Sequence, residues 1–348
     1  MHLRLVLPSL LSLPRDVLAA SAALATMTRR APPPRHEARG LDAVLLAAAL
    51  LPLETPMAPL AAHGAGITIE SGFIARADPI AMVAGRDDVL LGGRVDDLSA
   101  DDAQAFVSLM NDHFASDGLR FVAARPDTWF VQFVDIAAPQ STSLAQVHGA
   151  IHAHLPQGPQ GARWKRWLSE MQMLLHEDAR NVARERAGQA PVTGLWIADA
   201  GSALRAGAGA AAAAAAGSGA GNSCGSGSGT NVHWFAPAGR TGDVTRGLAA
   251  LHNSAAPTPP ATLAQLPTTP NAVVILPQLH TATDLQAAAD AWLSPALAAL
   301  DRGAITELTV AADDGHDAFV WLPRTVPWWS RWRRTSASVF VPPVVPHR

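Results

Sequence analysis

The chain has 348 residues, 49% of them apolar, and a formal net charge of −3. This length predicts one large or two moderate domains with a sizeable core, and the small net charge excludes the broad basic field typical of nucleic-acid-binding proteins. Cys224 is the only cysteine, which excludes an intrachain disulfide and any metal site with several cysteine ligands and favours a cytoplasmic location.

The first segment, MHLRLVLPSLLSLPRDVLAASAALATM, has two interpretations. A basic start, an apolar stretch and small residues are typical of an export signal. Two prolines and Asp16 instead favour a buried strand from Leu3 to Leu7 that ends at Pro8, because proline cannot continue a central strand. The strand is the preferred interpretation. No apolar run reaches the roughly 18 residues needed to cross a bilayer, so no membrane partner is expected.

The next part of the chain predicts a mixed α+β unit. A Pro/Arg-rich connector leads to a short buried helix over residues 41–51, and short apolar runs after residue 67 indicate strands, one of which closes in a turn at RADP (76–79). Ser99 is the predicted N-cap of a helix, and LRFVAARPDTWFVQFVDI predicts two strands around an Arg-Pro-Asp turn. The spacing of five apolar residues predicts the buried face of that helix: Ala103, Phe106, Val107, Met110 and Phe114.

The second half alternates helices and strands. A helix is predicted from Ala162 to about Ala187, and residues 201–230, rich in Gly, Ala and Ser, predict a flexible insertion. AVVILP predicts a strand, residues 284–300 a helix, and ELTVAA with AFVWLP a hairpin whose polar turn is DDGHDAF. Strand, helix and strand in this order indicate α/β layering.

Several motifs carry a resemblance to a known family. The run LPQGP, then RWKRWLSEMQMLLHEDARNVARERAGQAPVTGLWIADAG, with LMNDHFASDGLRFVA and RADPI, resembles the RpfE-type regulatory proteins of bacteria. The pattern N-x-x-R-x-x-x-G-x-x-P followed by LW is also similar to archaeal-type cofactor-independent phosphoglycerate mutases. The resemblance covers most of residues 67–201. It implies an α/β fold: a degenerate alkaline-phosphatase/phosphoglycerate-mutase-like core with an inserted α+β domain.

The chain departs from the mutase pattern where the chemistry lies. Thr193 stands where the pattern has Asn, and residues 198–201 read Ala-Asp-Ala-Gly where it has Trp-Gly-x-Gly. Mutases of this superfamily use two metals, held by Asp and His, to activate a Ser or Thr nucleophile, but their N-terminal Asp-Gly signature is absent from LRLVLPSLLSL. The resemblance therefore implies a catalytically silent regulatory protein without a metal cofactor, which binds a phosphorylated metabolite or a regulatory protein partner. The alternative is an active mutase or phosphatase that holds Mn²⁺ or Zn²⁺ through scattered ligands.

The predicted domain organisation follows from these segments. The N-terminal part of the α/β core and its connector are expected in residues 1–66, and the inserted α+β domain in residues 67–200. The insertion of residues 201–230 separates them from the C-terminal part of the core, residues 231–335, and from a tail, residues 336–348.

The candidate ligand site is the charged corner of residues 176–201. If this segment is helical, Asn181, Arg184 and Arg180 share one side, where two guanidinium groups and an amide suit a phosphate. The competing interpretation is a well-capped helix end, with Gly188 as C-cap and its cations complementing the helix dipole. Arg76 and Asp78 at the RADP turn are further candidates.

The C-terminal run WWSRWRR, residues 328–334, combines aromatic and basic side chains that suit nucleic acid or lipid headgroups. Packing of its tryptophans is the preferred interpretation, so no nucleic-acid partner is expected.

Overall fold

The computed structural model describes residues 1–68, 71–86, 88–147, 150–202, 232–325 and 340–343. They fall into two compact units, one within Met1–Thr55 and Gly209–Arg348 and the other within Pro56–Ala208. The first domain boundary is predicted after residue 66, whereas the structure assigns residues 56–66 to the second unit. The insertion of residues 201–230 lies outside the described residues except for 201 and 202, and WWSRWRR lies outside them altogether.

The strands follow one another along the described chain: β1 (His2–Leu7), β2 (Arg35–Glu37), β3 (Phe73–Ala84), β4 (Val89–Arg94), β5 (Leu119–Arg125), β6 (Thr128–Phe133), β7 (Gly194–Ser202), β8 (Val232–Phe235), β9 (Asn271–Ile275), β10 (Glu307–Asp313) and β11 (Ala318–Trp321).

The helices lie between them: α1 (Arg15–Ala20), α2 (Ala22–Arg30), α3 (Gly40–Ala48), α4 (Met57–Gly64), α5 (Ala100–Phe114), α6 (Gly161–Glu177), α7 (Ala179–Arg186), α8 (Arg240–Leu251), α9 (Ala282–Ala288) and α10 (Ser294–Asp301). A π-helical turn, Ala289–Leu293, joins α9 to α10, so the predicted helix over residues 284–300 is confirmed.

The first unit is built on a sheet with the strand order β2, β11, β10, β1, β9, β8. The four strands from β10 to β8 run parallel, and β11 and β2 are antiparallel to their neighbours. Leu5 of β1 is paired with Val310 on one side and Val274 on the other. The predicted strand Leu3–Leu7 is therefore the inner strand of a parallel sheet, which explains its nearly continuous apolar sequence.

The second unit is built on an antiparallel sheet. Its order is β4, β3, β6, β5, and β7 pairs with β3 along the opposite side. The cluster beneath α5 and α6 contains the predicted apolar faces of both helices, including Phe106, Met110, Trp164, Trp167 and Met171. Ser99 accepts the Asp102 N–H, so the predicted N-cap is confirmed.

The long helix predicted over residues 162–187 is wrong in one respect, because the structure divides it into α6 and α7. Asp178 between them is extended (φ −74°, ψ 128°), and its side chain accepts the backbone N–H of Arg180. Asp178 thus caps a new helix, which favours a break over continuation.

The predicted turn at RADP is also wrong. Arg76 and Asp78 lie inside β3, and Pro79 is paired with Leu195 of β7. On the other side, β3 pairs with β6 as far as Arg76 and with β4 from Ile80 onwards. Pro79 sits between these two partners, so its missing N–H costs no hydrogen bond there.

Leu50 gives a test of backbone strain at the end of α3. Its φ is 56° and it is 78% exposed, and Leu51 N–H donates to Leu46 C=O in the pattern that usually places glycine at this position. Leu50→Gly is expected to raise the free energy of unfolding by about 1 kcal/mol, because glycine adopts positive φ without strain. Urea unfolding measures this.

Leu53→Gly is the matched control, since Leu53 is also exposed but is not among the residues with positive φ. Equal effects of the two substitutions would contradict the assignment of strain to Leu50.

Candidate functional site

Asn181 is a structural tie in the second unit. It is 4% exposed, and its amide N–H groups donate to the carbonyls of Leu175 and Val192, both at 2.7 Å. Its Oδ1 accepts the Val192 N–H at 2.8 Å. One side chain thereby joins the end of α6 to the segment that enters β7.

Arg184 is also used by the fold. It is 4% exposed, its Nε donates to the Ala190 carbonyl at 3.0 Å, and its Nη2 bonds to the carboxylate of Asp97. The C-cap of α7 is Ala187, one residue before the predicted Gly188; Gly188 follows it with φ 73°, and its N–H donates to Glu185 C=O. These contacts favour the interpretation of the corner as a capped helix end.

Arg180 contacts different partners. Its Nη1 is 2.7 Å from Asp178 Oδ2, and its guanidinium carbon is 5.8 Å from the ring centre of Phe106. Arg180 and Arg184 are therefore each paired with their own carboxylate, Asp178 and Asp97. A shared phosphate site for Asn181, Arg184 and Arg180 stays a prediction that their present contacts do not favour.

Arg76 forms a half-buried ion pair on β3. Its Nη1 lies 3.2 Å from Asp199 Oδ2 on β7, and both side chains are 14% exposed. Asp78, the other candidate on this strand, is 2% exposed. Because alternate residues of a strand face the same way, Arg76 and Asp78 share one face of the sheet.

A second polar group, which the sequence analysis missed, lies at the carboxyl ends of three parallel strands in the first unit. Asp313 ends β10, Ser9 follows β1, and Gln278 follows β9. Ser9 N–H donates to Asp313 Oδ1 at 2.6 Å, and Gln278 Nε2 donates to Ser9 Oγ at 2.8 Å. This edge is where open α/β sheets bind ligands. The available signal was the pair of similar strand endings LVLPS and VILPQ, which place a polar residue just beyond each strand.

The electrostatics of this edge are dominated by carboxylates. The pKa of Asp313 is raised to about 6, mainly by burial; the hydrogen bonds from Ser9 and Gly315 N–H lower it, and the negative charges of Asp314 and Asp42 add to the rise. Ser9 itself has φ 59°, a left-handed conformation that is uncommon for serine.

The DDGHDAF segment forms the predicted hairpin turn between β10 and β11. Asp314 Oδ1 accepts the N–H groups of His316 and Asp317 at 2.9 and 2.8 Å, and Asp314 N–H donates to Asp317 C=O. In the described parts of the chain, no three His, Cys, Asp or Glu side chains are placed to hold one metal ion. This described donor set does not fit the two-metal centre that the mutase resemblance implies. Within the same residues, no helix is long and apolar enough to cross a bilayer.

Comparisons with known proteins add likenesses of structure only. No family model and no curated protein matches the chain. It is similar to the cofactor-independent phosphoglycerate mutase from Thermoplasma acidophilum DSM 1728, at 14% identity over 93% of this chain and 89% of that chain, with a TM-score of 0.40. It is similar to the PH0037 protein from Pyrococcus horikoshii at 10% identity over 93% and 87%, with a TM-score of 0.46. Because both TM-scores are below 0.5, neither likeness bears on the chemistry of this chain. The resemblance to RpfE-type regulatory proteins stays a prediction.

The tie made by Asn181 leads to a stability prediction. Asn181→Ala is expected to lower the free energy of unfolding by roughly 2–5 kcal/mol, because it leaves buried main-chain groups of Leu175 and Val192 without their partner. Urea unfolding followed by tryptophan fluorescence measures the change. The exposed Gln189→Ala is the control, and a loss no larger than that of the control would show that Asn181 is not a structural tie.

Asp313 leads to a pH prediction. Its pKa is raised in the folded state from 3.8 to about 6, so the folded protein binds this proton more tightly than the unfolded chain. The resulting stabilisation, about 3 kcal/mol, is present below the unfolded pKa and is lost as the pH rises through the folded pKa. Between pH 4 and pH 6, this effect lowers the free energy of unfolding of the wild type as the pH rises. Asp313→Asn lacks the titrating group, so the slope of its free energy of unfolding against pH should be more positive than that of the wild type.

Denaturant titrations across that range measure the difference in slope, with the exposed Asp16→Asn as control. Parallel curves for the wild type and Asp313→Asn would contradict a raised pKa.

Proposed function

We propose that the chain is a regulatory protein of the RpfE type, a phosphoglycerate-mutase-like protein that performs no phosphoryl transfer. The observation that carries this proposal is the use of polar groups at the edge formed by Ser9, Gln278 and Asp313. Both oxygens of Asp313 accept backbone N–H groups, from Ser9 and Gly315, and the Ser9 hydroxyl accepts a hydrogen bond from Gln278. In a phosphotransferase, such groups would bind the metals and the substrate. Here they are hydrogen-bonded to one another or to the main chain.

The charges of this edge support the same proposal. Asp42 and Asp314 add negative charge near the buried carboxyl of Asp313, and these charges raise its pKa. A phosphate group carries negative charge and is repelled by such a site unless cations offset the repulsion. Loss of catalysis is also consistent with the fold contacts of Asn181 and Arg184, the two matches to the mutase pattern that suit a phosphate ligand.

The alternative, an active metal-dependent mutase or phosphatase, has one observation in its favour. Crowded carboxylates with a raised pKa favour the approach of a divalent cation, which would relieve their mutual repulsion. A metal held there with further ligands would supply a Lewis acid for phosphoryl transfer.

Turnover assays separate the two functions. Purified protein is incubated with 3-phosphoglycerate and, separately, with p-nitrophenyl phosphate, each with and without Mn²⁺ and Zn²⁺. We expect no turnover in any arm, because the edge groups are bonded to one another, while an active phosphoglycerate mutase and a phosphatase assayed in parallel report that the conditions work. Metal content of the purified protein is measured on the same sample.

Turnover that disappears in Asp313→Asn and persists in the control Asp16→Asn would overturn the proposal in favour of the active enzyme. Turnover unchanged by Asp313→Asn would come from a site other than this edge or from a contaminating enzyme, which separation of the activity from the protein on a second column would identify.

A further inference from the structure

The ion pair of Arg76 and Asp199 combines partial burial with a strained backbone. Both side chains are 14% exposed, with Nη1 and Oδ2 3.2 Å apart. Asp199 has φ 56°, the left-handed region, although it lies within a strand. The left-handed region is uncommon for residues other than glycine, although aspartate adopts it more readily than most, and residues held there cluster at binding sites and switches.

The strain coincides with an irregularity in the sheet. Ile74 is paired with Gly201 and Arg76 with Ala198, so β7 places two residues, Asp199 and Ala200, opposite one residue of β3. This is a β-bulge, a device that turns a side chain in a new direction and is frequent beside functional sites. Here the bulge directs the Asp199 carboxylate at the Arg76 guanidinium.

Stability alone does not explain the arrangement. A partly buried ion pair loses most of its Coulombic attraction to the removal of both charges from water, so its net contribution to folding is small. The left-handed conformation of Asp199 adds a cost.

The neighbours of Asp199 along β7 are small residues. Ala198 and Ala200 flank Asp199, and a Cβ atom added at Gly201 would lie 2.6 Å from Pro56 Cβ, so Gly201 does not accept a side chain.

We propose that Asp199 is a built-in competitor for an oxyanion site on Arg76: its carboxylate takes the place on the guanidinium that a carboxylate or phosphate group of a small-molecule ligand would take. Guanidinium groups bind both kinds of oxyanion in the same geometry. The inference rests on the proposed function in that it names the ligand class of a regulatory protein. The ligand binds when the bulge releases Asp199, so ligand binding and the conformation of β7 are coupled.

Three variants test the site with inorganic phosphate, glycerate and 3-phosphoglycerate as probes in calorimetric titrations. Asp199→Asn removes the charge and keeps the shape, Asp199→Gly also relieves the backbone strain, and Asp199→Asn with Arg76→Gln removes the anchor. Both single variants are expected to bind at least one probe ~10-fold or more tightly than the wild type, since an intramolecular competitor acts at high effective concentration. The double variant is expected to lose this gain. Comparison of phosphate with glycerate identifies which oxyanion the site prefers.

Circular dichroism and thermal midpoints establish that each variant is folded, and Asp199→Gly provides the test if Asp199→Asn is not. Folded single variants that bind none of the three probes more tightly than the wild type would overturn the proposal, as would a gain that survives Arg76→Gln. The turnover assays do not involve these variants, so a failure here is distinguishable from a failure of the proposed function.

Discussion

The parallel pairing of β1 with β9 on one side and β10 on the other is the constraint on which the first unit depends. A strand with neighbours on both sides and apolar cover is mostly apolar along its length, as β1 is apart from Arg4, and polar side chains follow where the strand ends. Parallel strands end at the same edge, so Ser9, Gln278 and Asp313 meet although more than half of the sequence separates the first from the other two. Their hydrogen bonds to one another are a consequence of topology, and they decide what chemistry the edge can perform.

The second unit depends on the length of β3. This strand pairs with β7 along one side and with β6 and then β4 along the other, so it carries Pro79 at the change of partner and a bulge opposite Asp199. Irregular positions of this kind are where a sheet can hold polar groups on a buried face. Arg76 and Asp78 lie on that part of the strand, so both charged side chains of β3 lie beside its irregular positions.

Much of the fold could be predicted from the sequence because its signals are local. The strand ending at Pro8, the cap at Ser99 and the hairpin at DDGHDAF each depend on a few adjacent residues. The break at Asp178 was missed because buried residues continue beyond it, as Asn181 and Arg184 do, so the helical pattern shows no gap. The RADP segment was misassigned for a related reason: Asp-Pro favours a turn locally, whereas the change of strand partner that accommodates the proline involves residues far away in sequence. The sheet edge of the first unit was missed because strand order is a property of the whole chain.

Resemblance and electrostatics lead to different candidate sites, and the difference has a physical basis. The matches to the mutase pattern at Asn181 and Arg184 are buried polar groups whose partners are main-chain atoms and Asp97, and such contacts stabilise the fold whether or not a ligand binds. The edge of the first unit is crowded with carboxylates and so repels an oxyanion in the absence of a cation. In the second unit, Arg76 offers a positive charge that a carboxylate of the chain already occupies. An anionic ligand therefore competes with Asp199 for one guanidinium. Its affinity depends on the free energy needed to move the Asp199 carboxylate away from Arg76.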